Sequence, residues 1–598
     1  MAASTKMFAA GQIFLIFVSF TALSVVRSSD EQFHEELLIK PLPNGHIYTH
    51  FQFTTTWDID IENESSFSHF RLFPKSLGET IAKYSVQELH LTMTQGLWRY
   101  EKWGYPVSEA PPGAELWVWF LPETKNIDRK WSELSNALSG QFCASLNFMD
   151  GKSTVLPKWS FRPHGAADPH YANLNRHGRY SALPRESVCT ENLTPWKKLL
   201  PCSSKVGLAA LFDARKLYDS DYHSLGLHVR PVCKDAACSS TVVEFSQTLA
   251  EVFEPARGSG KPDSSLKDLF GRFIPSSCPL ASSSKVFVDI TPRKGVQSPS
   301  LSPAPTRTYK TKRGGEEREI AEYNLPDFIS KDMMLNVAMK YNSPISYVEP
   351  TPPQLYAHRF STGYGQEQGG MMSQIYNTDA TKTLTIIYME TIPWFIRVFF
   401  HTIKIETNGK QVKPSKLHYV PGKDREQSYH LEVVLTLPPK SRTTISLNFE
   451  RALLKWTEYP PDANHGFYIN AAVISTMLPS GKQYMASPQN SSRVSASFDD
   501  KASLFFLRIH TETLLVSLPV PDFSMPYNVI CLACTVVAIA FGSLHNLATK
   551  LFQLRDPNEK KPGLLQKIKD KLFKRKNKTE EKETEKNECE EKEESASS

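Results

Sequence analysis

Between Cys278 and Cys531 the chain contains no cysteine, so whatever folds there must be stable without disulfides. Also missing are G-x-S-x-G, H-E-x-x-H, a phosphate-binding glycine loop and a dinucleotide fingerprint. Without them there is no basis for assigning a catalytic residue, a cofactor or a metal site. A Cys/His nucleophilic pair stays formally open through His164, His170 and His465, but no local signature singles out one cysteine. No charge of one sign dominates either. A net charge of +6 over 598 residues is too small to suggest nucleic acid as a partner.

Long apolar runs are scarce, and the two that exist are informative. Lys6 precedes the stretch Met7 to Val26, and Ser24, Ser28 and Ser29 lead into Asp30. This is the pattern of a secretory signal over residues 1–29, with an uncleaved signal anchor as the alternative. The second run, Met525 to Leu547, lacks Lys, Arg, Asp and Glu, and Lys550, Arg555, Lys560 and Lys561 follow it. About 20 apolar residues cross a bilayer, and basic residues on one flank are retained on the cytosolic side. A type I membrane protein is expected, with a transmembrane helix over 524–548 and a cytosolic tail over 549–598. That tail is first basic, with Leu565, Ile568 and Leu572 on one helical face suited to a membrane surface, and then acidic.

The expected lumenal part reads as mainly β. Ile47 to Phe53 alternates, with the odd positions on one strand face. Leu384–Met389, Phe395–Ile405, Leu431–Leu435, Ile445–Phe449 and Leu504–Ile509 continue the strand pattern, and Asn408-Gly409 marks a hairpin. Lys75–Leu89 and Lys130–Leu138 break it, and in the second Trp131, Leu134 and Leu138 lie at helical spacing. Trp98, Trp103, Trp117 and Trp119 suit a core better than a sugar site. The expected fold is two β-sandwich-like domains with helical insertions, over 30–293 and 320–523. Residues 294–319, which contain the Pro/Ser-rich stretch Gly295 to Pro305, are expected as a linker or long loop.

Six cysteines lie in the first domain, and Cys143, Cys189, Cys202, Cys233, Cys238 and Cys278 are all candidates for intrachain bridges. Three bridges are the simplest arrangement, with Cys233 and Cys238 near enough to close a small loop. If one cysteine pairs with another chain, an odd thiol is left over. Cys531 and Cys534 are too few for a zinc site and read as small packing residues. Asn63, Asn490 and Asn192 open glycosylation sequons on the expected lumenal side, and Asn577 opens one on the cytosolic side.

Longer words carry a family resemblance. Cys189-Thr-Glu-Asn-Leu-Thr-Pro-Trp-Lys-Lys-Leu-Leu-Pro-Cys202 resembles the class T subunit of glycosylphosphatidylinositol (GPI) transamidase. So do Leu134–Phe148, Phe449–Tyr459 with Asn464–Tyr468, and Pro521–Cys531. The resemblance implies a non-catalytic scaffold in a multi-subunit complex of the endoplasmic reticulum membrane. It implies a disulfide from Cys189 to a catalytic thiol-protease-like subunit, contacts with other membrane subunits, and indirect handling of the GPI lipid and the precursor protein. An internal bridge from Cys189, to Cys202 for example, stays open. The rival readings are a cell-surface receptor or adhesion ectodomain, and a lumenal thiol enzyme.

Overall fold

Strand pairing in the first half builds one very wide sheet. The computed structural model describes residues 31–42, 45–63, 67–160, 177–203, 205–233, 241–254, 263–292, 298–313, 316–329, 334–342, 350–363, 368–460, 462–477, 493–496, 506–520, 522, 524–550 and 563. The expected signal segment, His164, His170, Cys238, the Cys233 side chain, Asn490 and nearly all of the tail lie outside them. The sheet strands are β1 (Glu31–Pro41), β2 (Ile47–Trp57), β3 (Val86–Gln95), β4 (Gly113–Phe120), β5 (Gly178–Leu183), β6 (Tyr222–Cys233), β7 (Thr241–Phe253), β8 (Ser283–Asp289), β9 (Arg307–Arg313) and β10 (Glu316–Asn324). Their order is β9-β10-β8-β1-β2-β7-β6-β3-β4-β5. The β1/β8 pair is parallel and the others are antiparallel.

The period-2 alternation sorts this sheet into two unlike faces. Ile47, Phe51, Phe53 and Trp57 of β2 point into a core with Leu89, Leu91, Leu225 and Leu249. Helix α1 (Lys75–Tyr84) and helix α2 (Ile127–Phe142) close that core through Leu77, Ile81, Trp131, Leu134 and Leu138. The segment Lys75–Leu89 is helical only as far as Tyr84, because Ser85 adopts a left-handed conformation at φ 56° and β3 begins at Val86. The stretch 294–319 is not a bare linker. β9 and β10 pair with each other and β10 pairs with β8, so the sheet runs on to Asn324. Tyr309 against Ile320 and Ala321 against Val288 keep that register.

The second half is a two-sheet sandwich. One sheet runs β11 (Leu355–Thr362), β12 (Gln368–Asn377), β17 (Ser441–Arg451) and β14 (Ile396–Thr407). The other runs β15 (Lys416–Val420), β16 (Tyr429–Leu437), β13 (Leu384–Ile392), β18 (Val473–Met477) and β19 (Phe506–His510). Asn408 and Gly409, both at positive φ, turn β14 back on itself as the sequence predicts. Inside the sandwich the buried Arg359 bonds Glu390, which also accepts from Tyr388 Oη at 2.6 Å.

The sandwich packs on the second, polar face of the wide sheet. Trp117, Trp119 and Tyr180 meet Met389 and Val473 there, and Trp98 and Trp103 are also buried, as the core reading expects. The Arg508 guanidinium lies 4.6 Å from the Trp117 ring centroid. Beside it, His510 Nε2 is 3.2 Å from Glu115 Oε1, and the Arg508 backbone N–H donates to Glu109. Burial alone would raise the Glu115 carboxyl, but His510 and Arg508 outweigh it and hold it below the usual carboxylate range. Tyr105 clamps the backbone N–H and C=O of Leu355, and Glu432 accepts from the N–H groups of Lys158 and Trp159.

A separate unit contributes helix α4 (Ser524–Ala548), whose 25 residues are long and apolar enough to cross a membrane. Its Pro526 sits in the first turn, where backbone N–H groups have no helical partner to lose.

Two outcomes follow for stability. Arg508→Met removes the guanidinium that Glu109 and Glu115 share and leaves only His510 beside them; it should cost about 3–5 kcal/mol, read from the denaturant midpoint. His358 is ion-paired to Glu512 and Glu101. The Glu512 bond chiefly raises it to about 9, against opposing burial. Its folded pKa lies above the unfolded one, so its contribution is complete below about pH 6.5 and fades as pH rises toward 9. Thermal unfolding should show that decline, and His358→Asn should flatten it.

Candidate functional site

Helix α3 (Thr190–Lys198) begins at Cys189, whose extended backbone, φ −141° and ψ −177°, makes it the N-cap. Asn192 occupies the third helical position and its Oδ1 accepts from the Cys189 N–H at 2.9 Å, one half of a reciprocal cap. The same side chain faces back toward α2, and its Nδ2 donates to the carbonyls of Phe142 and Cys143, both at 3.0 Å. On the other side, Tyr218 Oη donates to the Cys189 carbonyl at 2.5 Å. Both backbone polar groups of Cys189 are thus held by side chains, while the residue itself is exposed and its thiol is free.

The helix under this thiol is anchored deeply. Trp196 is fully buried, its Nε1 donates to the Gly226 carbonyl of β6, and its own carbonyl accepts from Gln247 of β7. Pro195 lies in α3, and the short helix ends three residues later at Lys198. Basic Lys197 and Lys198 in the last turn suit the negative end of the helix dipole.

The cysteines divide in a way that counting does not reveal. Cys202 pairs with Cys278 across 76 residues, at a Cα–Cα distance of 6.0 Å. The internal Cys189–Cys202 bridge is therefore excluded, because Cys202 is already used. Cys143 is free and exposed, and it adjoins the Cys189 segment through the shared Asn192. Cys531 and Cys534 are free on the surface of α4.

Of the sequons, Asn63 is exposed. Asn192 is only 1% exposed and its amide is committed to two carbonyls, which leaves no room for a glycan. The roles of Asn192 and Tyr218 were not read from the sequence. The signal available was an amide side chain at the third position after a helix start, which a sequon reading obscures.

These features define a mainly β protein with, among the described residues, one helix suited to a membrane span, and with an exposed thiol on a braced helix start. Comparison with known proteins gives the family. The family model described as "Gpi16 subunit, GPI transamidase component" matches residues 15–264 and 254–574. The human GPI-anchor transamidase component PIGT is 47% identical over 537 residues, covering 88% of this chain and 92% of the human one. The GPI transamidase component GPI16 of Saccharomyces cerevisiae is 30% identical over 562 residues, covering 87% and 88%. In Schizosaccharomyces pombe, a PIG-T homolog is 30% identical over 588 residues, covering 94% and 97%. The chain belongs to the Gpi16/PIG-T family of GPI transamidase components.

Asn192→Ala should cost about 1–3 kcal/mol, since it leaves buried carbonyls and an N–H without partners. Thermal unfolding measures this, and the N-glycan mass on the chain should not change.

Proposed function

We propose that this chain is the non-catalytic scaffold of a GPI transamidase and holds the thiol-protease-like catalytic subunit through a disulfide from Cys189. The observation that carries the reading is the state of Cys189, a free, exposed thiol whose flanking backbone is fixed by Asn192 and Tyr218. Among the described residues Cys189 is not bonded to another cysteine, and it lies exposed at the start of an anchored helix. A pre-set thiol loses little conformational freedom when it bonds a partner, which favours a stable covalent link.

The proposed setting is the endoplasmic reticulum membrane, with α4 as the single span and the sheet and sandwich on the lumenal side. The basic residues after α4, beginning with Lys550, support that orientation. The oxidising lumen supports both the Cys202–Cys278 bridge and an interchain disulfide. In this reading the GPI lipid and the precursor protein are handled by the assembled complex, with other membrane subunits docking on this scaffold. Names such as "GPI-anchor transamidase component" for the human and mouse relatives support membership of such a complex.

Membranes carrying wild type, Cys189→Ser or Cys143→Ser should be compared on non-reducing gels. The expected result is a heavier band, containing a second subunit, in wild type and Cys143→Ser and its loss in Cys189→Ser. A heavier band that survives Cys189→Ser would move the tether to another cysteine. A wild-type chain that runs and purifies alone would overturn the scaffold reading.

A further inference from the structure

Strands β2, β7 and β6 are neighbours in the wide sheet, and their register brings three side chains with metal-binding chemistry to one edge. Ile47 pairs with Phe253, and Tyr222 pairs with Val252. The residues one step beyond these pairs, His46, Glu254 and Asp221, therefore leave the sheet side by side. One ligand atom from each lies within 4.8 Å of the others, and His46 Nε2 is 2.9 Å from Asp221 Oδ2.

Two of the three are fixed through their backbones. The His46 carbonyl accepts from the Leu42 N–H at 2.8 Å, and the Asp221 N–H donates to the Val252 carbonyl at 2.9 Å. The His46 ring also sits beside the buried Trp103, with centroids 6.1 Å apart. The side chains of His46 and Asp221 are 14% and 26% exposed, and Glu254 is half-buried. The cluster is thus partly dehydrated yet open to solvent on one side.

We propose that His46, Asp221 and Glu254 form a Zn2+ site, with water in the fourth position. One imidazole nitrogen and two carboxylates supply a charge that balances a divalent cation. The nitrogen donor and the small donor number suit Zn2+, whereas Ca2+ takes six to eight oxygens. Ligands about 2.0–2.1 Å from a tetrahedral ion stand about 3.3 Å from one another. The His46–Asp221 contact, at 2.9 Å, has only to open slightly to reach that spacing, and the widest separation, within 4.8 Å, to close. The ion ties three strand ends together next to the ring cluster of Trp98, Trp103 and Tyr222. It does so independently of the transamidase reading.

The test uses the full chain purified from membranes with its subunits and dialysed against EDTA. Zn2+ is then titrated against a chromophoric chelator and the bound metal counted by elemental analysis, for wild type, Asp221→Asn and Glu254→Gln. The expected result is one equivalent of Zn2+ more in wild type than in either variant. The wild-type unfolding midpoint should also climb with Zn2+ concentration and fall back with EDTA, while the variants stay at the metal-free value. Equal Zn2+ in wild type and both variants, or a wild-type midpoint that ignores Zn2+, would overturn the site. So would variants that fail to fold where EDTA-treated wild type is stable, since the carboxylates would then act without metal.

Discussion

The architecture depends on a buried polar contact between the wide sheet and the sandwich. Arg508, from an edge strand of the sandwich, is 2% exposed and lies on Trp117 of the sheet, close to Glu109 and Glu115. A charged group this deep is tolerable only if its counter-charges are correctly placed, so the contact fixes how the two layers meet. Apolar packing of Met389 and Val473 on the two tryptophans supplies area, and the ionic groups supply register. The same logic explains why β13 is buried on both faces. Its even positions, such as Ile386 and Tyr388, fill the sandwich, while Met389 faces the sheet.

The wide sheet also presents the thiol. α3 is pinned to β6 and β7 by Trp196, and its first residue is held by Asn192 and Tyr218. The Cys202–Cys278 bridge then secures the chain just after α3 to a segment 76 residues away. Together these constraints hold the backbone around an exposed cysteine in one arrangement.

Much of this fold was legible in the residues. Alternation in Ile47–Phe53 identified a core-facing strand, and Asn408-Gly409 identified a tight turn, because both signals are local. The linker bounds 294–319 misled for the same reason. Pro/Ser composition over 295–305 argues against a core there, yet Arg307–Arg313, just beyond it, and the following strand need only a neighbouring edge to pair with, and β8 provides it. Asn192 misled in the opposite sense. Its sequon is a three-residue pattern, while its burial depends on carbonyls some 50 residues earlier in the chain.

The sequence by itself determined the apolar helix, the mainly β character and the resemblance carried by Cys189–Cys202. Each of these rests on periodicity, composition or contiguous words. Tertiary structure alone decided which cysteines pair, how the sheet and sandwich are joined, and where His46, Asp221 and Glu254 meet. Those outcomes are contacts between residues tens to hundreds of positions apart. They follow from strand register and layer packing, which no short stretch of chain encodes.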